Sequence, residues 1–160
     1  MSSARFGKLE VDIEIKAPAE RFFEFHTRKT YMLSNTSPDK VVSCELLEGD
    51  WGKEGSVISW NYVLDGNARA GKELLEAVDI ERNSVTYRVI DGYLLQYYKS
   101  FKRSCEATPK GKGKEEGTRV HWTLEYEKLH DKVPEPHTKL QFILDLVKDF
   151  DAHPSSQEHL

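Results

Sequence analysis

The sequence predicts an α+β fold in which one antiparallel sheet packs against a single long helix at the C-terminal end of the chain. Three observations lead to this prediction. Residues 9–16 alternate apolar and charged side chains over four full cycles, six further strand-like segments follow, and residues 133–152 form a long amphipathic helix. The length of 160 residues suits one domain, and we expect residues 154–160 to be a disordered tail.

The first strand leads into two short helices. Its alternation gives one buried and one solvated face, because successive side chains of a strand point to opposite sides. Ala17-Pro18-Ala19-Glu20 then begins a helix that ends near Thr30, since proline is favoured in a first helical turn. A second short helix is predicted from Thr30 to Ser34, and residues 35–38 end it.

The middle of the chain consists of strands and turns. Short breaks rich in Gly, Asp and Asn separate the segments, so successive strands should pair antiparallel. The registers of the third and fifth segments stay open, because their alternation is ambiguous. The predicted strands are Lys40–Leu47, Ser56–Leu64, Ala68–Asp79, Ser84–Asp91, Leu94–Ala107 and Arg119–Lys128.

The long helix is predicted from Val133 to Ala152. Pro134 and Pro136 stand where a helix begins, and no further breaker occurs before Pro154. Its apolar face must be covered, because an isolated helix of this length gains little stability in water. That face contains Leu140, Ile143, Leu144 and Val147, widened by Phe142, Leu146 and Phe150.

Composition excludes several classes of function. The chain is 38% hydrophobic and 31% charged, and its net charge of −4 argues against binding nucleic acid. No apolar run approaches the roughly 20 residues of a membrane span, and residues 1–7 lack the apolar region of a signal peptide. Cys44 and Cys105 show no metal-ligand spacing, and no cofactor motif occurs, so we expect neither a metal nor a cofactor. Two cysteines without such a pattern fit a reducing compartment, and we expect a cytoplasmic protein. We also expect it to be a monomer.

Aromatic residues on the apolar parity of several strands allow two interpretations. They can form an ordinary core, or they can line a cavity, because buried Tyr and Trp need partners for their O–H and N–H groups. The parity of Tyr98 cannot be settled. The aromatic residues concerned are Trp60, Tyr62, Tyr87, Tyr98 and Trp122.

Glu73 is the best candidate for a polar group inside such a cavity. One register turns its carboxylate inward, where it could orient a ligand hydroxyl or act as a general acid or base. The other register turns it outward toward lysine and arginine neighbours such as Lys72 and Arg69. His121 falls on the solvated parity of its strand, and we expect His26 at the surface or as a helix cap.

Five segments resemble the major latex protein family of plants, part of the Bet v 1 and pathogenesis-related class 10 superfamily. They are GKLEV at residues 7–11, LEGDWGKEGSVISW at 47–60, VLDGN at 63–67, YKSF at 98–101 and LEYEK at 124–128. The resemblance extends over residues 7–152. It implies a helix-grip fold: a curved seven-stranded antiparallel sheet around the C-terminal helix, two short helices between strands 1 and 2, and a large internal cavity.

The glycine-rich stretch from Gly49 to Gly55 departs from the phosphate-loop-like region of the birch-allergen branch. Trp51 interrupts the glycines, Glu54 adds negative charge, and no helix follows to supply a positive N-terminus. We therefore expect a structural turn here rather than a nucleotide site.

The resemblance implies a carrier of small hydrophobic or amphipathic molecules, such as a fatty acid, sterol, terpenoid, phenolic or hormone, linked to plant defence or stress. The alternatives are a cofactor-free isomerase or cyclase that uses Glu73 as acid or base, and a signalling protein that docks partners at the cavity mouth. For the carrier, the residues expected to contact ligand are Phe22, Phe25, Ile58, Trp60, Tyr62, Glu73, Tyr87, Tyr98, Trp122, Leu140, Ile143, Leu144 and Val147.

Overall fold

A computed structural model describes residues 5–113 and 116–153 of the chain. In this part, seven strands form one antiparallel sheet, and the apolar side of the last helix packs on its inner face. The strands are β1 (Phe6–Ile15), β2 (Val41–Glu48), β3 (Val57–Leu64), β4 (Asn67–Asp79), β5 (Ser84–Gly92), β6 (Tyr98–Pro109) and β7 (Thr118–Lys128). The helices are α1 (Ala19–Thr27), α2 (Leu33–Thr36) and α3 (His137–Ala152), with single 3-10 turns at Thr30–Met32 and Tyr93–Gln96.

The strand order is β1-β7-β6-β5-β4-β3-β2. Strands β2 to β7 therefore form a meander, and β1 closes the sheet by pairing with β7. The two short helices connect the opposite edges of the sheet, which is the predicted α+β arrangement. Among the described residues, no helix is both long enough and apolar enough to cross a membrane.

The long helix begins later than its sequence suggests. Its first residue is His137 rather than Val133, because Pro136 has φ −80° and ψ 51° and serves as the N-cap. Val133 is buried in the core as part of the preceding irregular segment. The predicted tail at residues 154–160 lies outside the described residues.

The predicted strand Leu94–Ala107 is also wrong at its start. Residues Tyr93–Gln96 form a 3-10 turn, and β6 begins at Tyr98 with a register shift between Tyr98 and Ser100. This irregularity turns both Tyr98 and Phe101 inward, which breaks the two-residue period that a regular strand would show. The sequence alternation could not settle this register for that reason.

The C-terminal end of α3 is tied to α1 and β1. The Phe150 ring lies 4.5 Å from the Phe25 ring and 5.9 Å from the Phe22 ring, measured between centroids. The Asp151 carboxylate accepts hydrogen bonds from the backbone N–H groups of Lys16 at 2.9 Å and Ala17 at 3.0 Å. These contacts fix the helix across the inner face of the sheet.

The glycine-rich stretch between β2 and β3 uses its backbone N–H groups internally. The N–H of Gly55 donates to the Leu75 carbonyl at 2.9 Å, and that of Ser56 donates to the Lys53 carbonyl at 3.1 Å. Gly49, Gly52 and Gly55 all have positive φ angles, which only glycine adopts without strain. The geometry is that of a structural turn.

Candidate functional site

A pocket lies between the inner face of the sheet and α3. Its walls are mainly apolar and aromatic, and its cavity volume is about 50 Å³. The apolar and aromatic lining comes from Leu33, Trp60, Tyr62, Val89, Tyr93, Leu94, Trp122, Phe142, Ile143 and Leu146.

A buried ion pair stands in one wall of this pocket. Arg103 on β6 binds the Glu73 carboxylate on β4 through Nε and a terminal nitrogen, at 2.8 Å each, and Trp60 Nε1 donates to the same carboxylate at 2.7 Å. The two charged side chains are 8% and 10% exposed. Glu73 therefore faces inward, which decides between the two registers that the sequence left open.

The pairing controls the ionisation of Glu73. Burial alone would raise the pKa of this carboxyl, but the Arg103 guanidinium and the hydrogen bonds to the carboxylate hold the pKa below its usual value. The carboxylate is ionised at neutral pH, and its oxygens already accept three hydrogen bonds. It is consequently a poor general acid and a weak base.

His26 lines the pocket instead of lying at the surface, so that expectation was wrong. It is 4% exposed, and its ring stacks on Phe22 with centroids 4.1 Å apart. Burial lowers the pKa of His26 to about 3, although its contact with the Phe22 carbonyl raises it in part. Because a carbonyl only accepts, Nδ1 donates at 3.1 Å and Nε2 carries the lone pair of a neutral imidazole.

Trp122 has an unused hydrogen-bond donor in the pocket wall. The side chain is 1% exposed, and its indole Nε1–H has no acceptor among the described residues. Buried donors are almost always paired, because losing a hydrogen bond to water costs about 1–3 kcal/mol. A ligand with a hydrogen-bond acceptor would satisfy this group if the pocket widened enough to expose the nitrogen, which is fully buried in this structure.

A second, more open groove of about 290 Å³ adjoins the pocket. Tyr93, Leu94 and Lys139 belong to the lining of both. The resemblance implied a large internal cavity, but the volume of this pocket is well below the roughly 300–1,000 Å³ of typical ligand sites. A metabolite-sized ligand would need the shared wall to move, so that pocket and groove become continuous.

The structure brings only part of the predicted contact set to the pocket. Trp60, Tyr62, Glu73, Trp122 and Ile143 line it. Tyr98 lines the adjoining groove and donates its hydroxyl to the Pro134 carbonyl at 2.7 Å. The remaining predicted residues lie in the surrounding core or partly buried against it: Phe22, Phe25, Ile58, Tyr87, Leu140, Leu144 and Val147.

Comparison with known proteins identifies the family to which this chain belongs. Residues 4–157 match the Pathogenesis-related protein Bet v 1 family. The chain belongs to this family. MLP-like protein 31 of Arabidopsis thaliana is 48% identical over 157 residues, which cover 98% of this chain and 91% of that protein. The expected relation to major latex proteins is thereby confirmed.

Solved structures of Bet v 1 type have the same fold. The crystal structure of major latex-like protein 151 from Panax ginseng superposes with a TM-score of 0.88 at 37% identity, covering 93% of this chain and 97% of that one. Norcoclaurine synthase from Thalictrum flavum, solved with dopamine and hydroxybenzaldehyde, has a TM-score of 0.70 over 89% of this chain and 84% of its own. At 20% identity that likeness concerns the fold alone.

Arg103 and Lys139 are two of the charged residues that line this Bet v 1 pocket and were not predicted from the sequence. Arg103 lies on the same, inward face of β6 as Phe101 and Cys105. Once the register of β6 is known, an ion pair between Arg103 and an inward Glu73 can therefore be predicted. Lys139 precedes Phe142 by three residues and Ile143 by four, which places it on the same helix face. Both were overlooked because charged residues are normally assigned to solvent.

Proposed function

We propose that this protein binds a small hydrophobic or amphipathic molecule between the sheet and α3, and carries it without chemical change. The Bet v 1 family is known for ligand binding, and its members bind small hydrophobic molecules. The observation that carries the proposal is the buried Trp122 indole N–H, which lacks an acceptor among the described residues although it belongs to the pocket wall. A role as a cytoplasmic monomer in defence or stress belongs to the same proposal.

Apolar burial supplies the driving force. Removing apolar surface from water contributes about 25 cal/mol per Å², which after the cost of association leaves roughly micromolar binding for a metabolite-sized molecule. The unpaired Trp122 donor adds orientation, because a ligand that leaves it unsatisfied forgoes a hydrogen bond. We expect the ligand to extend from the pocket into the adjoining groove, past Tyr93 and Leu94.

The alternative of an isomerase or cyclase that uses Glu73 has weaker support. Its carboxylate is committed to Arg103 and Trp60, and its pKa is lowered rather than raised toward neutrality. A catalytic role would first require this ion pair to open. A carrier needs no such step, so the geometry favours binding over catalysis.

We expect the neutral fluorescent probe N-phenyl-1-naphthylamine to bind the purified protein saturably with one site per chain. Leu146→Trp should weaken this binding at least tenfold, because Leu146 lines the small pocket and a larger side chain fills it. Leu129→Trp is the matched control, since Leu129 is 42% exposed and outside the pocket. Probe fluorescence titrations measure both.

Near-ultraviolet circular dichroism checks that each variant is folded, and Ile143→Phe provides a second, milder filling of the same pocket. Unsaturable probe binding to the wild type would overturn the proposal. Equal affinity in Leu146→Trp, Ile143→Phe and wild type would also do so, because the probe would then occupy another site.

A further inference from the structure

One of the cations that line the pocket has no ion-pair partner among the described residues. Among the described residues, five charged side chains line the pocket, and four of them form two pairs. Arg103 pairs with Glu73 at 2.8 Å, and Lys72 lies 3.9 Å from Asp91. Lys139 is the fifth, and it has no ion-pair partner in the described part of the chain. The paired groups cancel, so the wall carries an excess positive charge whenever Lys139 is protonated.

Aromatic rings contact the Lys139 ammonium but do not accept hydrogen bonds from it. Its Nζ lies 4.5 Å from the centroid of the Tyr62 ring and 4.8 Å from that of Phe142. Such contacts stabilise a cation, but they offer no lone pair to its three N–H donors. The side chain is half-buried at the boundary between the pocket and the groove. An anionic oxygen at this boundary would neutralise the charge of the Lys139 ammonium and accept hydrogen bonds from its N–H groups.

Arg69 is a second under-satisfied cation, which lies behind the wall that pocket and groove share and lines neither of them itself. Its guanidinium carbon lies 4.2 Å above the ring of Tyr93, which lines both pocket and groove. The buried Nε of Arg69 has no acceptor among the described residues. In the β3–β4 ladder Arg69 stands opposite Tyr62, the residue that also contacts Lys139. We call Lys139 and Arg69 together the cationic rim.

We propose that the cationic rim binds the oxyanion head group of an amphipathic ligand whose apolar part occupies the pocket. This inference rests on the proposed function and narrows its ligand class to carboxylates and phosphate monoesters. Charge-assisted hydrogen bonds to such a head group are stronger than those to a neutral hydroxyl. A neutral amphiphile would fill the same pocket with lower affinity, and a cationic one would be repelled.

The rim also gives anion binding a pH dependence. Burial lowers the pKa of Lys139 to about 8, with Glu73 raising it and Arg103 lowering it further. Since the anionic head group binds the protonated form of Lys139, the affinity for an anion should fall about tenfold for each pH unit above the pKa of Lys139. The other titratable or charged groups in the walls around Lys139 are His26, Tyr62, Asp65, Lys72, Asp91, Tyr93, Tyr97, Tyr98 and Glu135.

The test compares dodecanoate, dodecyl phosphate and 1-dodecanol, each displacing N-phenyl-1-naphthylamine from the wild-type protein at pH 7. We expect at least one of the two anions to bind about 10–100-fold more tightly than the alcohol. Lys139→Met should abolish that preference, so that the anions and the alcohol bind with similar affinity. Lys139→Arg should retain most of it. Lys148→Met is the matched control, because Lys148 is exposed on the same helix.

The two anions distinguish a carboxylate site from a phosphate site, and a preference for either supports the proposal. Raising the pH from 7 to 9 should weaken the binding of the preferred anion and leave the binding of the alcohol unchanged. Equal affinities of wild type for anions and alcohol, or an undiminished preference in Lys139→Met, would overturn the inference while leaving the pocket a neutral binding site. If neither the alcohol nor either anion displaces the bound probe, this inference fails, whereas the proposed function fails only if the probe itself does not bind saturably.

Discussion

Replacing Glu73 by Gln is expected to lower the free energy of unfolding by about 3–5 kcal/mol. The change removes the negative partner of Arg103 and leaves its guanidinium buried beside the Tyr87 ring, 4.2 Å from the centroid. Burying an uncompensated charge costs several kcal/mol, which is why removing one partner is worse than removing both. Urea denaturation at pH 7 measures the loss.

The double variant Glu73→Leu with Arg103→Met should recover most of this stability, because apolar replacements leave no buried charge. Glu106→Gln is the control on β6, since its ion pair with Arg82 is exposed and should change stability by less than about 1 kcal/mol. A loss in Glu73→Gln no larger than in Glu106→Gln would show that the Arg103 pair is solvated in solution.

Replacing Phe150 by Ala is expected to cost about 3–5 kcal/mol of unfolding free energy. The Phe150 side chain is fully buried, and its ring contacts the rings of Phe22, Phe25 and His26. Truncation leaves a cavity where α3 meets α1, and the surrounding aromatic rings can collapse into it only in part. Chemical denaturation followed by far-ultraviolet circular dichroism gives the value.

Phe6→Ala provides the comparison, because Phe6 is 59% exposed on the edge strand and should change stability little. If Phe150→Ala costs less than about 1 kcal/mol, the C-terminal end of α3 is not packed as the structure describes. A large loss supports the view that this end anchors the helix, while its N-terminal part borders the pocket.

The fold followed from local patterns that the tertiary structure respects. Alternation in residues 9–16 placed β1, and the parity of Val120, Trp122 and Leu124 placed the buried face of β7, as the structure confirms. Short turns between successive strands required an antiparallel meander. These inferences succeeded because periodicity and turn chemistry act over a few residues, and no long-range contact overrides them here.

The site was harder to predict because it depends on contacts between distant residues. The pairing of Glu73 with Arg103 requires two registers, and the β4 ladder shifts at Glu73 itself while the β6 ladder shifts near Tyr98. On α3 the apolar stripe is too broad to fix the rotation of the helix. Consequently Leu140 and Val147 were expected at the ligand, whereas Phe142 and Leu146 line the pocket.

His26 shows a further limit of sequence reasoning. A histidine beside two phenylalanines near a helix end is compatible with either a surface or a buried position. The structure buries it because Phe22, Trp122 and Phe150 surround its ring. Burial of a polar side chain is decided by neighbours from other elements, which no local pattern contains.

The central claim is that a small molecule binds beside Trp122 between the sheet and α3. The most direct test is a two-dimensional ¹⁵N–¹H spectrum of the three tryptophan indole groups during titration with N-phenyl-1-naphthylamine. We expect the signals of Trp60 and Trp122, which line the pocket, to move saturably, while that of Trp51, packed against Tyr31, stays in place. Movement of the Trp51 signal alone, or no movement despite probe binding, would contradict the claim.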